Sequence, residues 1–244
     1  MTLTPAAIVD IVMLASTTDR HSACVTHTAI QTAIDNVHPH QTLNVIVVEQ
    51  NPTVTHPDAD LTVHRSGPFN FNAAANFGAR LGCAPNILVA NNDLVFGPDW
   101  LTPLLEARHP IVSARCPVDI RQRDFTVNTK GGRVGHHLSG WCYMMSRAFY
   151  TKIGGLDEEF TFWCADDVVV EQCRQAGILP MIVPASEVTH LGSYTLNTHP
   201  DFDDLTWAQV DRFIARFGRH RCMRDPRYLA WRARQRGQRL QRSR

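Results

Sequence analysis

The stretch NILVANNDLVFGPDWL, residues 86 to 101, decides how the chain is read. Asn86 to Ala90 has the length of a strand, and its apolar run Ile87 to Ala90 is the pattern of a strand buried on both faces of a sheet. The run stops at Asn91-Asn92-Asp93, and Pro98 then opens a short helix carrying Trp100, Leu101, Leu104 and Leu105. A carboxylate just past a buried strand can bind Mg2+ or Mn2+, whose preference for oxygen also lets it bridge two phosphates of a nucleotide. Asn and Asp are equally ordinary turn residues, so the triplet alone leaves metal site and turn both open.

Working outward, the same alternation recurs. Ile8 to Ala15 is an apolar run, followed by polar Ser16-Thr17-Thr18 and by Ala23, Ile30, Ala33, Ile34 and Val37 at helical spacing. Leu43 to Val48 is a β-branched strand ending on Glu49-Gln50-Asn51-Pro52. Asp60 to His64 forms a short strand, and Phe71 to Leu81 a helix rich in small residues. Repeated strand-helix alternation predicts a mainly parallel sheet covered on both faces, with ligands beyond the carboxyl ends of its strands. Ser16 to Asp19, Glu49 to Asn51 and Asn91 to Asp93 are therefore expected to face one crevice.

Downstream, Ile111 to Ala114 is a strand, residues 117 to 139 read as a loop or hairpin, and Ile178 to Val183 and Glu187 to His190 are strands either side of Pro184. Leu205 to Phe217 is a helix with Trp207, Val210, Phe213, Ile214 and Phe217 on one side, broken at Gly218 before an arginine-rich tail. No internal repeat and no clear second domain is visible; the chain divides into a main domain, 1–202, and a helical basic extension, 203–244.

A chain of 244 residues, 44% hydrophobic and 19% charged, can bury a substantial core and is not disordered in composition. The N-terminus has no basic leader, and Asp10 interrupts its apolar run, which argues against a signal peptide or a membrane span. The seven scattered cysteines include no C-x-x-C pair, which argues against a disulfide framework or a cysteine zinc site and points to reduced thiols in a cytoplasmic protein. The net charge of +1 hides an asymmetry: residues 212 to 244 hold 12 of the 24 Lys and Arg and a single acid, Asp225. Such a block suits phosphate-bearing nucleic acid or an anionic membrane surface, or is simply a solvated helix with a basic end.

Four ordered blocks make residues 8 to 195 resemble the family 2 glycosyltransferases of the GT-A fold. They are VVEQN (47–51), FNAAANFGARLGCAPNILVANNDLVFGPDWL (71–101), GWCYMMSRAFYTKIGGLDEEF (140–160), and FWCADDVVVEQCRQAG through VTHLGS (162–193). The resemblance implies an α/β, Rossmann-like, mostly parallel sheet flanked by helices. It also implies a nucleotide-sugar donor, first of all a UDP-sugar, and a Mn2+ or Mg2+ ion on its diphosphate.

The resemblance assigns roles residue by residue. Glu49 stands where the family usually has an Asp that bonds the donor base, with Ser16 and Thr17 beside it. Asn72, Asn76 and Arg80 lie four apart on one helix face, with Asn76 and Gly78 lining the donor pocket and Arg80 adding charge near the diphosphate; alternatively, the alanines around them make a tight helix-sheet contact and the polar face is only wet. Trp141 is either a stacking wall for a sugar or a core residue. Counting back from Ala176-Gly177 places Asp166 on the catalytic base and Ala165 on its usual acidic neighbour, with Asp167 as an extra carboxylate. The helix dipole is expected to keep the base ionised, though two aspartates there also suit helix capping. His190 matches a late His that joins Asp93 on the metal. Asn91 departs from the commonest motif, which has Asp there, and removes one negative ligand.

The implied reaction is a single-displacement transfer with inversion, to a hydroxylated base in DNA or to an envelope glycan. A sugar-1-phosphate nucleotidyltransferase would need a Gly-rich, basic phosphate loop after the first strand, which is absent. A catalytically silent nucleic-acid or glycan binding module on the same fold remains the non-enzymatic alternative.

Overall fold

The computed structural model describes residues 8–192 and 202–242. The reading of the first residues as leaderless, the last residue of the 162–193 block and the boundary at 202 fall in or against the segments outside that description. Nine strands form one sheet: β1 (Val9–Ala15), β2 (Leu43–Glu49), β3 (Leu61–His64), β4 (Asn86–Asn91), β5 (Leu94–Phe96), β6 (Ile111–Arg115), β7 (Thr129–Lys130), β8 (Cys142–Ser146) and β9 (Met181–His190). Their order is β3-β2-β1-β4-β8-β6-β9-β5, with β7 also paired to β9. The block β3-β2-β1-β4 is wholly parallel, and β6 and β9 keep its direction; β8, β5 and β7 run against it. The mostly parallel sheet is as expected.

Alternation along β1 shows how the sheet is covered. Val9, Ile11 and Met13 face one apolar cluster, which takes in Ala29, Ile30 and Ala33 of α1 (Arg20–Asp35) and Leu101 and Leu104 of α3 (Leu101–Glu106). Val12 and Leu14 face the other, beneath α2 (Phe71–Ala79), α4 (Arg147–Lys152) and α5 (Ala165–Gln175). α2 sits close because Gly78 lacks a side chain: a Cβ there would lie 2.4 Å from Val12 Cγ1. Asp10, odd in an apolar run, is fully buried at the amino end of β1, where it pairs with Arg147 and accepts from the Ala84 N–H at 2.8 Å.

Two elements differ from expectation. The strands either side of Pro184 are one strand, β9, whose pairing with β6 jumps from Ala114–Val183 to Arg115–Glu187. A proline cannot donate to the ladder, so it is accommodated in an irregularity rather than ending the strand. β5, three residues long, lies between the triplet and Pro98 where no strand was expected, and it brings residue 93 beside residue 190. The C-terminal extension comprises α6 (Phe202–Phe217), a 3-10 turn (Arg221–Arg224) and α7 (Pro226–Arg242). Trp207, Val210, Phe213, Tyr228 and Trp231 pack with Phe160, Cys164 and Val168 in a third apolar cluster. No helix among the described residues is long and apolar enough to cross a membrane, and all seven cysteines are free thiols.

Candidate active site

The Asn-Asn-Asp triplet occupies the end of β4 and the tight step into β5. Because β5 runs antiparallel to β9, Leu94 is registered with His190, and the Leu191 N–H donates to the Asp93 carbonyl at 2.9 Å. The Asp93 and His190 side chains then meet, Oδ1 to Nε2 at 3.2 Å. Both atoms are buried and lack a properly aligned hydrogen-bond partner among the described residues. A carboxylate oxygen and an imidazole nitrogen facing each other in this way match the donor set of an oxygen-preferring divalent cation that tolerates one nitrogen. Trp141 stacks on the His190 ring, centroids 5.3 Å apart and planes within 8°. One face of the indole is thus taken by the imidazole, so Trp141 fixes the ring of the candidate ligand. Its carbonyl accepts the Asn91 N–H at 2.9 Å, and Asn92 is tied to Thr26 of α1 at 2.8 Å.

Glu49, expected to meet the donor base, is turned inward. Its carboxylate accepts from the Thr17 N–H (2.9 Å), the Thr17 hydroxyl (2.7 Å), the Asn51 N–H (2.9 Å) and His56 Nε2 (2.9 Å). Four bonds fill the acceptor capacity of a carboxylate, and the side chain is fully buried. Burial alone raises its pKa, but the bonds from His56, Asn51 and Thr17 outweigh it and bring the value down to about 2. Glu49 therefore shapes the loops after β1 and β2, leaving Ser16, half-buried, on the rim. The crevice beside it is lined by Ala15, Gln50, Arg65, Phe69 and Asn70.

The polar face of α2 is also engaged within the chain. Asn76 donates to the Leu156 carbonyl (2.8 Å) and Glu158 (2.9 Å) and accepts from Tyr150 Oη and the Leu156 N–H, each at 2.9 Å. All four hydrogen-bonding positions of the amide are used in bracing α2 against the 155–158 turn. Asn72, fully buried, donates to the Asp157 carbonyl at 2.8 Å. Arg80 is the exposed C-cap of α2, two residues before Gly82, whose missing Cβ makes room for Asp10 at the amino end of β1. It is at the far end of the sheet from Asp93, because a helix that starts beside the carboxyl ends of the strands must finish at their amino ends. Residues three and four apart share a helix face, but only the packing decided that this face meets α4 and the 155–158 turn.

At the head of α5 neither aspartate caps the helix. The N-cap is Cys164, in the left-handed region at φ 64°. Asp166 accepts the Asp167 N–H at 3.0 Å and makes no ion pair among the described residues. Its carboxylate lies over Gly140, the neighbour of Trp141, where a Cβ would stand 2.6 Å from Oδ2. Burial, and then the charge of Asp167, raise its pKa to about 6, so these outweigh the helix dipole that was expected to hold it ionised. Asp167 is engaged by the extension: Arg221 Nη1 lies 2.6 Å from Oδ1 and His220 Nε2 3.4 Å from Oδ2. His56, His220 and Arg221 were not anticipated. His56 follows Glu49 by seven residues in a polar loop, a weak signal, and nothing local ties residues 220 and 221 to a helix more than fifty positions earlier.

No family model matches the chain. A search of curated proteins finds an N-acetylglucosaminyl-diphospho-decaprenol L-rhamnosyltransferase of Mycobacterium tuberculosis, 25% identical over 152 residues, covering 47% of this chain and 49% of that protein. The chain thus spans about half the length of the curated relatives it matches. Among solved structures, GalNAc-T7 with UDP, GalNAc and Mn2+ aligns with TM-score 0.64 and 11% identity over 86% of this chain and 48% of that one. The mannosyltransferase PcManGT of Pyrobaculum calidifontis, with GDP-Man and Mn2+, aligns with TM-score 0.60 and 16% identity over 87% and 64%. The catalytic domain of Drosophila beta1,4galactosyltransferase 7 aligns with TM-score 0.52 and 14% identity over 76% and 72%. The fold is that of the GT-A glycosyltransferases.

Proposed function

We propose that this GT-A-fold chain is a nucleotide-sugar-dependent glycosyltransferase that moves the sugar to an acceptor hydroxyl with inversion. The observation that carries the reading is the Asp93–His190 pair under Trp141, whose facing oxygen and nitrogen are buried, 3.2 Å apart and without an aligned hydrogen bond among the described residues. These two residues would hold Mn2+ or Mg2+, whose chemistry there is charge neutralisation on the departing diphosphate. Ser16 and the loops organised by Glu49 receive the nucleoside, with a UDP-sugar the first donor to test. Asp166 takes the proton of the acceptor hydroxyl as its oxygen bonds the anomeric carbon and the bond to the diphosphate oxygen breaks. Asp167, already paired with Arg221, is the poorer base.

For the acceptor, the rhamnosyltransferase likeness favours a glycan hydroxyl. A hydroxylated base in DNA is the second reading, supported by the exposed Arg219, Arg224, Arg234 and Arg236 of the extension; binding to duplex DNA that weakens steeply with salt would favour it. Arg212, Arg216, Arg221 and Arg232 are already committed within the chain. The deciding experiment is a panel of nucleotide sugars with Mn2+, following nucleoside diphosphate release with and without glycan and hydroxylated-DNA acceptors. Release from one donor supports transfer; silence across the panel favours a binding module.

A further inference from the structure

We infer that the C-terminal extension completes the catalytic site: Arg221 and His220 are positioning residues that clasp Asp167 and leave Asp166 as the carboxylate free to ionise and accept a proton. The inference rests on the reading of Asp166 as the base.

Two adjacent carboxylates at the head of one helix repel each other, and each hinders ionisation of the other. Arg221, 2.6 Å from one oxygen of Asp167, supplies the opposing charge. His220 reaches the other oxygen, and its protonation pattern can be read from its surroundings. The Cys222 N–H points at Nδ1 (3.1 Å), and Nε2 faces Asp167 Oδ2 at 3.4 Å and Cys164 Sγ at 3.6 Å; burial lowers the imidazole pKa, but the bonds to Asp167 and Cys164 outweigh it and push it up to about 11, so Nε2 carries a proton. Cys164, Asp167 and His220 together offer sulfur, oxygen and nitrogen within 4.8 Å. A metal there would need the lone pair of Nε2 and would compete with Arg221 for Asp167, so the group acts as a clasp.

The clasp is rigidly founded. The His220 side chain is 1% exposed and meets the Phe213 ring edge-on at 5.2 Å, within the cluster that joins α6 and α7 to Cys164 and Val168. Cys164 itself sits at φ 64°, a conformation a cysteine adopts only when its surroundings impose it. Arg216, paired with Asp157 at 2.5 Å and Glu159 at 3.1 Å, and Arg212, on the Glu159 carbonyl at 2.7 Å, pin the preceding turn to the same extension. The charged and titratable groups that face Asp166 and its neighbour Asp167 are Arg221, Arg121, Cys164 and His220, with the Tyr143 hydroxyl buried alongside.

The test follows the Asp166 carboxylate by 13C NMR through a pH titration, together with kcat and KM for transfer, in wild type, Arg221→Ala, Arg221→Lys and Asp167→Asn. Arg221→Ala is expected to move the Asp166 midpoint up by about one pH unit and the acid limb of kcat with it, since an unopposed negative neighbour remains. At pH 5 kcat falls roughly 10-fold and at pH 7 only about twofold, while donor KM stays within about twofold, and Arg221→Lys recovers most of the loss. Asp167→Asn, which keeps Arg221, moves the midpoint down and keeps the test decisive if Arg221→Ala folds poorly; in the double variant the Arg221→Ala effect is smaller than in wild type. An unchanged midpoint and kcat in Arg221→Ala overturn the clasp. If wild type turns over no nucleotide sugar, the transferase reading fails, while the NMR midpoints still decide whether Arg221 governs Asp166.

Discussion

The Cβ that Gly140 lacks would stand 2.6 Å from Oδ2 of Asp166 and 2.8 Å from its Cβ. The residue next to the indole that supports His190 is thus also the floor under the candidate base, and one short loop registers both halves of the site. Gly140→Ala must displace Asp166, because its Cβ and not only the mobile carboxylate is in the way. Transfer should lose roughly 10- to 100-fold in kcat with donor KM little changed, the signature of a misplaced group. Steady-state kinetics check this; an equal loss in KM alone would contradict it.

Metal affinity should follow Asp93 and His190. Asp93→Asn and His190→Ala are each expected to weaken Mn2+ binding by roughly 10-fold or more, since the first takes the negative charge from one candidate ligand and the second removes the other. Counting free Mn2+ by electron paramagnetic resonance reads this without any sugar. Removal of metal by a chelator should abolish transfer in wild type, and Mn2+ should restore it.

Asp166 and Glu49 give opposite dependences on pH. With its pKa raised to about 6, Asp166 contributes stability at low pH that is lost as pH rises through 6, while its function as a base appears over the same interval. Asp166→Asn should therefore melt higher than wild type at pH 8, match it near pH 4, and show no transfer at any pH. Melting curves and rates at both pH values test the pairing.

For Glu49, lowered to about 2, stability is present above its ordinary value of 4.5 and is lost as pH falls toward 2. Glu49→Gln, which places an amide against the Thr17 hydroxyl and His56, should cost roughly 3 kcal/mol at pH 7. The cost should shrink on acidification, as denaturant titrations at pH 7 and pH 3 would show.

Asn76→Ala should act on stability and not on the donor. It leaves Tyr150 Oη, the Leu156 backbone and Glu158 without their partner, at a cost of about 2 to 4 kcal/mol. Nucleotide-sugar affinity of the folded protein, measured by calorimetry, should stay within about twofold of wild type. A large loss of affinity with an unchanged melting temperature would instead put Asn76 in the donor pocket.

Much of this molecule was legible along the chain. Short apolar runs at Ile8, Leu43 and Asn86, each ending in a polar cluster, dictate buried parallel strands because a strand covered on both faces tolerates a polar side chain only where it is paired, as Asp10 is, and its carboxyl end is where unpaired ones gather. That placed Asp93 at a chain position that suits chemistry, whereas Asp166 came from the family resemblance, by counting back from Ala176-Gly177. What a helical period could not decide was which neighbour a face would meet: Asn72, Asn76 and Arg80 share a face of α2, yet two of them brace the 155–158 turn and the third caps the far end of the helix. Glu49 was given a donor role by the family resemblance, and its saturation by Thr17, Asn51 and His56 depends on loops folding over it.

Local pattern, then, determined the strands, the helices and the chemical types gathered at the strand ends, since these follow from which side chains avoid water over four to twelve residues. The tertiary structure alone decided that β5 registers Asp93 with His190, that Gly140 lies beneath Asp166, and that an arginine from the basic tail takes Asp167. Contacts of that kind depend on long-range packing, and no local periodicity encodes which partner a charged side chain will find.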